Sequence, residues 1–192
     1  MMADGFRLMM LLLSALLYSG CATAGLLESG EDFAGWLLTF ERTKEVKPVD
    51  NKAYQAECSD CHFAYQPGLL PAKSWENLLT ADALRKHFGV NAEIEADTLK
   101  HVHDYAIENA ADKSYYKRSR KIANATEKGD TPLRITELHY IDRKHKHIPE
   151  KMVKGNLGVK SLSFCDKCHT QAAQGVFDND TVSIPSYPDW DD

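Results

Sequence analysis

The chain has 192 residues, with 23 Lys or Arg against 28 Asp or Glu, for a net charge of −5. This length fits one domain of ordinary size or two small ones. The basic residues form no long tract, which argues against a nucleic-acid partner because phosphate binding needs a basic footprint.

Residues 1–24 predict a signal peptide for export. A single Arg precedes an apolar run over residues 8–18 that is too short to span a bilayer. The pattern Ala-Thr-Ala then fits cleavage after Ala24. A competing lipoprotein cut lies before Cys21 and would leave a lipid anchor there. We therefore expect a periplasmic protein, associated with a membrane only if Cys21 is lipidated.

Two helices are predicted in the first half of the chain, after a leader at residues 25–53 that carries no assignable motif. The first begins at a cap on Ser74 and stops at Gly89, with His87 in its last turn. The second begins at a cap on Asp97 or Thr98, and its apolar residues recur at helical spacing.

A polar segment over residues 112–133 is the predicted boundary between two domains. It separates a first domain at 54–125 from a second at 126–192. The segment includes KRSRK at 117–121, which has two interpretations. It is a solvated stretch between the domains, or it is a functional basic patch that docks an acidic redox partner or pairs with cofactor carboxylates.

Two Cys-x-x-Cys-His motifs carry the strongest signal in the sequence. The first lies in YQAECSDCHFAYQPG at 54–68 and the second in SFCDKCHTQ at 163–171. Apart from Cys21, every cysteine belongs to one of them. The motif residues are Cys58, Cys61 and His62, and Cys165, Cys168 and His169.

Three chemistries use paired cysteines at this spacing. A thioredoxin-type redox pair follows a strand, which neither copy does, and leaves the histidines unexplained. A four-cysteine zinc site usually has its pairs about 15 to 20 residues apart, whereas roughly 100 residues separate Cys61 from Cys165. Attachment of c-type haem accounts for every position: the cysteines form thioethers and the histidine ligates the iron. The sequence therefore predicts two covalently bound haem c groups.

Each haem iron then needs a second axial ligand or stays open. Of the five methionines only Met152 lies outside the first ten residues, so at most one iron takes a Met ligand after cleavage. The surplus of histidines indicates bis-histidine ligation at both irons. From the residues alone, His87 and His103 compete for the first haem. For the second haem the candidates are His139, His145 and His147, and no residue pattern separates them. The non-motif histidines are His87, His101, His103, His139, His145 and His147.

The blocks AECSDCHFAYQPGLLPAKSW, HFGVNAEI, DYAIENAADKS, PLRITE, RKHKHI and FCDKCHTQAAQGVF resemble the bacterial dihaem cytochrome c family in order and spacing. The resemblance runs from Tyr54 to Pro185. It implies an all-α protein with a small cytochrome c-like domain and a second haem-wrapping unit with long loops.

The resemblance also implies the iron ligands. His62 and His169 match the proximal ligands, while the HFG block points to His87 and the RKH block to His145 as distal ligands. The neighbouring His147 is an additional histidine in this sequence, and neither His101 nor His103 has a counterpart in the family pattern.

With both irons saturated, the expected function is outer-sphere electron transfer at low potential rather than enzymatic catalysis. Bis-histidine ligation lowers the potential relative to His/Met ligation, because a thioether favours reduced iron. The expected partners are other redox proteins, such as another cytochrome or a membrane-bound electron donor. Arg118, Arg120 and Arg134 are candidates for pairing with haem propionates. The alternative function is a dihaem peroxidase or reductase with one open iron.

Overall fold

The computed structural model describes residues 42–190. Within the described range, the residues from Thr43 onward form one compact unit. The predicted signal peptide, its Ala24 cleavage site and the alternative lipid site at Cys21 lie outside the described residues. Between residues 42 and 190, no helix has the length and apolar character needed to cross a membrane.

The described part of the chain is helical and contains no β-strand, only three isolated bridges, so the all-α prediction is confirmed. The predicted division into domains at 54–125 and 126–192 remains a prediction. This part of the chain contains seven α-helices and six short 3-10 turns, three of which follow the last helix. Numbered in chain order, the helices are α1 Lys52–Ser59, α2 Ala72–Leu78, α3 Ala81–Arg85, α4 Ala96–Glu108, α5 Lys117–Ala125, α6 His139–His145 and α7 Glu150–Val153.

The single helix predicted between Ser74 and Gly89 is wrong, because the chain forms α2 and α3 with a break between them. Thr80 has extended backbone angles, and its side chain accepts a hydrogen bond from the amide of Ala83 at the start of α3. Threonine is a good N-cap, so it begins a new helix here instead of continuing the previous one. Ser74, the predicted cap, lies inside α2 and is fully buried.

The predicted cap of the next helix is also wrong by two or three residues. Glu95 caps α4, and its carboxylate accepts hydrogen bonds from the amides of Asp97 and Thr98 at 2.9 and 3.3 Å. Glu95 directly precedes the first helical residue, Ala96, and bonds the second and third amides of the helix, as the usual cap residues do. The apolar face of α4 is as predicted, since Val102 and Ala106 are fully buried.

The main core forms where α4 packs against α1 and α2, and α5 joins it through the 3-10 turns at Pro67–Leu69 and Ala111–Lys113. Its fully buried side chains include Tyr54, Leu70, Val102 and Ile122. Each large apolar side chain of this kind stabilises the fold by about 1.5–3 kcal/mol relative to exposure. A second, smaller cluster lies near the carboxyl end of the described chain and consists of Met152, Val153, Val159 and Ile184.

A buried ion pair ties together three segments that are distant in sequence. The Glu45 carboxylate accepts a hydrogen bond from Arg118 Nη2 at 2.5 Å and another from the Phe177 amide at 3.2 Å. The same Nη2 donates to the Phe177 carbonyl at 3.0 Å. Only 15% of the Glu45 side chain and 14% of the Arg118 side chain are exposed. The start of the described chain is therefore held against α5 and the segment that follows the second motif.

We expect Glu45→Ala to lower the free energy of unfolding by about 3 kcal/mol, because it leaves the largely buried Arg118 guanidinium without its carboxylate. Urea unfolding of the haem-loaded protein, followed by far-UV circular dichroism, measures the change. The matched control is Glu93→Ala, which breaks an exposed pair with Arg85. It should cost less than about 1 kcal/mol. Equal losses in the two variants would contradict a structural role for the Glu45–Arg118 pair.

Candidate cofactor sites

The first motif begins on α1, whose amino end is capped by Asn51. Cys58 lies within this helix and is partly buried, whereas Cys61 is exposed in the turn that follows. Burial raises the pKa of the Cys58 thiol to about 12. A redox-active cysteine of the thioredoxin type instead has a lowered pKa, because the thiolate is the reactive species. The environment of Cys58 is thus the opposite of the one that a redox-active pair requires.

The second motif follows the same pattern on a 3-10 turn at Cys165–Lys167. Burial raises the pKa of Cys165 to about 12 and also raises that of Cys168. None of the four motif cysteines forms a disulfide with another cysteine of residues 42–190. Among residues 42–190, no group of three or more His, Cys, Asp or Glu side chains is placed to hold a metal ion. The zinc site considered from the sequence is therefore not formed.

His62 of the first motif lies opposite His87. Their ring centroids are 6.3 Å apart and the ring planes are inclined by 27°. His62 Nδ1 lies 2.8 Å from the Phe63 carbonyl oxygen. A carbonyl only accepts hydrogen bonds, so Nδ1 carries the proton and Nε2 keeps a free lone pair. Burial and the nearby His62 lower the pKa of His87, which favours a neutral ring there too.

The position of His87 depends on a tight turn rather than on a helix. The Val90 amide donates to the His87 carbonyl at 3.1 Å, and the two residues between them have positive φ angles, 51° at Phe88 and 99° at Gly89. Two successive positive angles define a type I′ turn, in which glycine is strongly favoured at the second position. The HFG block is thus a turn that projects His87 toward the first motif.

His169 of the second motif lies opposite His145, the last residue of α6. Their ring centroids are 6.1 Å apart and the planes are inclined by 78°. His145 Nδ1 donates to the Ile141 carbonyl at 2.8 Å, which again leaves Nε2 free. Burial, followed by the nearby His145 and Arg118, lowers the pKa of His169 to about 4. The His169 ring is therefore neutral at pH 7 and can donate a lone pair to a metal.

The spacing of both pairs can be compared with that of two ligands on one metal atom. At metal–nitrogen bonds of about 2 Å, two imidazoles on opposite sides of a metal have ring centroids about 6 Å apart. The observed 6.3 and 6.1 Å match this separation. Both pairs therefore fit the axial positions of a haem iron.

The remaining histidines form no ring contact with a motif histidine within the described residues. His101, His139 and His147 are exposed. His103 keeps one third of its side chain exposed, and its Nδ1 lies 3.2 Å from the Asp104 carboxylate. The structure thus brings His87 and His145 to the motifs and leaves their rival candidates elsewhere.

A cavity beside His145 and His169 is lined mainly by apolar side chains, several of them from the smaller core cluster. Arg118 reaches this cavity, and its buried Nε has no hydrogen-bond partner within the described residues. An unpaired buried donor is costly, so an acceptor on a bound group would satisfy it. Of the three predicted propionate partners, Arg118 has the environment that fits best. Arg134 instead stacks over Phe88 at 3.8 Å, and Arg120 is exposed.

Tyr65 connects the two motifs. Its ring stacks on His62 at 4.7 Å between centroids, and its hydroxyl donates to the Ser163 carbonyl, two residues before Cys165. The two motifs, roughly 100 residues apart in sequence, are therefore neighbours in the fold. Sequence reasoning missed this bridge, and it missed Glu45 because the leader carries no recognisable motif.

Comparison with known proteins identifies the family. The sequence matches the dihaem cytochrome c family, DHC, over residues 54–177. The chain belongs to the dihaem cytochrome c family. The resemblance noted in the sequence is therefore confirmed, and the cytochrome carries two covalently bound haem c groups, which implies a role in electron transfer.

Two solved structures are similar to this cytochrome over nearly their whole length. The dihaem cytochrome c of Shewanella baltica OS155 is 36% identical, with a TM-score of 0.60, covering 74% of this chain and 99% of that one. The dihaem cytochrome c of Rhodobacter sphaeroides is also 36% identical, with a TM-score of 0.60, covering 69% of this chain and 100% of that one. No curated protein matches the chain at a significant level.

Proposed function

We propose that this cytochrome is a periplasmic electron carrier in which His62 and His87 ligate the first haem iron and His145 and His169 the second. The observation that carries the proposal is the pairing of each motif histidine with one other histidine at 6.1–6.3 Å between ring centroids. With both axial positions filled, neither iron keeps a coordination site for a substrate.

The four motif cysteines hold the cofactors in this proposal. Cys58 and Cys61 form the thioethers of the first haem, and Cys165 and Cys168 those of the second. The absence of a disulfide among the four within residues 42–190 and the partial burial of Cys58, Cys165 and Cys168 support this role, because thioether sulfurs carry no charge and suit a buried site.

The chain contributes by fixing the ligand rings. The Phe63 and Ile141 carbonyls accept from His62 and His145, which sets each tautomer, orients the ring and makes it a stronger donor. The other ring of each pair, His87 or His169, has a buried Nδ1 without a partner in the described residues. Each haem iron, when bound, takes up and releases one electron, at a potential lower than His/Met ligation would give.

The competing function, a dihaem peroxidase or reductase, needs one open iron. A histidine opposite each motif histidine supports the carrier instead. The partners we propose are other redox proteins, either another cytochrome or a membrane-bound electron donor. Association with the membrane itself depends on lipidation of Cys21.

Electron paramagnetic resonance of the oxidised protein tests the proposed ligation. Near-parallel imidazoles split the iron d orbitals that interact with the rings, whereas near-perpendicular imidazoles leave these orbitals almost degenerate. We therefore expect one rhombic low-spin signal from the pair inclined by 27° and one highly anisotropic low-spin signal from the pair inclined by 78°. The near-infrared sulfur-to-iron band should be absent. A high-spin signal that binds cyanide rapidly would contradict the carrier function at that haem.

A further inference from the structure

A basic groove of about 560 Å³ lies between α5 and α6. Its three cations, on Lys121, Arg143 and Lys144, are exposed, and none forms an ion pair with a carboxylate of residues 42–190. The groove is lined by Lys121, Asn124, Ala125, Tyr140, Arg143 and Lys144.

The groove lies in the most basic part of an acidic protein. Residues 117–147 contain nine Lys or Arg and four Asp or Glu, whereas the whole chain has a net charge of −5. A local positive region on a negative molecule gives a strong charge asymmetry, which orients an approaching partner before contact. A partner that docks here should therefore present negative charge.

The groove also adjoins the cavity of the second motif. Lys144 lines both the groove and the cavity, and it precedes His145 in α6. The Tyr140 hydroxyl in the groove accepts from Arg118 Nη1 at 3.3 Å, and Arg118 lines the cavity. A molecule bound in the groove would thus be linked to the second haem site through the side chains of Tyr140 and Arg118.

We propose that this groove is the docking surface for the acidic face of a redox partner protein, which exchanges electrons through the second haem. The inference rests on the proposed carrier function and adds the surface and the charge of the partner. A protein fits better than a membrane, because the site is concave and accepts protruding carboxylates, whereas a bilayer is flat. The exposed, flexible cations favour steering and rapid release, as a carrier requires.

The test uses the haem-loaded protein and stopped-flow kinetics. The probe is reduced plant-type ferredoxin, an acidic electron donor of low potential. The groove variant is Lys121→Glu with Arg143→Glu, and the matched control is Lys52→Glu with Lys113→Glu, which changes the net charge equally at exposed residues outside the groove. We expect the groove variant to slow reduction by ferredoxin about tenfold at low ionic strength. The control should slow it less than twofold, and added salt should remove the difference.

Equal effects of the two variants would overturn the proposed docking surface, because the overall charge alone would then explain the slower reduction. If the groove variant alters oxidation by ferricyanide, or binding to phosphatidylglycerol vesicles, but not reduction by ferredoxin, the groove is a small-anion or lipid site and the proposal is wrong. Reduction by dithionite and reoxidation by basic mitochondrial cytochrome c report on the carrier function itself. A wild-type protein that completes both steps, without an effect at the groove, overturns only the docking proposal.

Discussion

The His145→Ala variant should bind one carbon monoxide per chain when reduced, whereas the wild-type protein should bind none. In the proposed ligation, His145 is the second axial ligand of one iron, and alanine supplies no donor atom to replace it. The oxidised variant should show loss of the highly anisotropic low-spin signal, because that signal arises from the pair that includes His145. The rhombic signal of the other pair should persist.

A matched control is available two residues along the chain. His147→Ala removes an exposed imidazole from the same basic cluster and should leave both signals and the carbon monoxide stoichiometry unchanged. For the first haem, His87→Ala and His103→Ala form the corresponding pair, and here the rhombic signal should be the one that is lost. Carbon monoxide binding in the His147 or His103 variant, but not in its counterpart, would show that the ligands are wrongly assigned.

The double variant Cys165→Ala with Cys168→Ala should lose one of the two covalent haems. Without the thioether sulfurs, the second haem is held only by its axial ligands and apolar contacts, and it is removed when the protein is denatured. Mass spectrometry of the denatured chain should therefore give the polypeptide plus a single haem. The pyridine haemochrome assay should show about half of the wild-type covalent haem per chain.

The variant Cys58→Ala with Cys61→Ala is the reciprocal case and should retain only the second haem. The two double cysteine variants should also differ in their stability to urea. The cavity beside the second motif is lined by the small cluster of four buried apolar residues together with Leu69, Ile135 and Phe177 of the main core, whereas the first motif packs on the main core. We expect the variant Cys165→Ala with Cys168→Ala to unfold at a lower urea concentration than the variant Cys58→Ala with Cys61→Ala. The reverse order would contradict the idea that the region around the second motif depends more strongly on its haem for stability.

Much of the cofactor site could be predicted from the sequence because its chemistry is local. A Cys-x-x-Cys-His motif places both sulfurs and the ligating ring within five residues, so no tertiary information is needed to recognise it. The other residues able to ligate iron, one methionine outside the first ten residues and six non-motif histidines, could also be counted from the sequence. Helix boundaries were less predictable, because the choice of Thr80 and Glu95 as caps depends on competing local hydrogen bonds rather than on periodicity.

Residue patterns alone could not identify the distal histidines. Periodicity placed His87 in a helical turn and could not separate it from His103, whereas the fold places His87 in a type I′ turn facing His62 and leaves His103 beside Asp104. The resemblance to the family, not the pattern, pointed to His87 and His145. A contact between a turn and a motif some 25 residues away leaves no periodic trace in the sequence.

By itself, the sequence determined the two haem attachment motifs, the helical class and the family, since these follow from residue identity and short spacing. Only the tertiary structure decided which imidazoles face each other, that Tyr65 joins the two motifs, and that Glu45 is paired with Arg118. It alone also placed a basic groove beside the cavity of the second motif. Such contacts join residues that are distant along the chain, and they arise only when packing of the core brings those segments together.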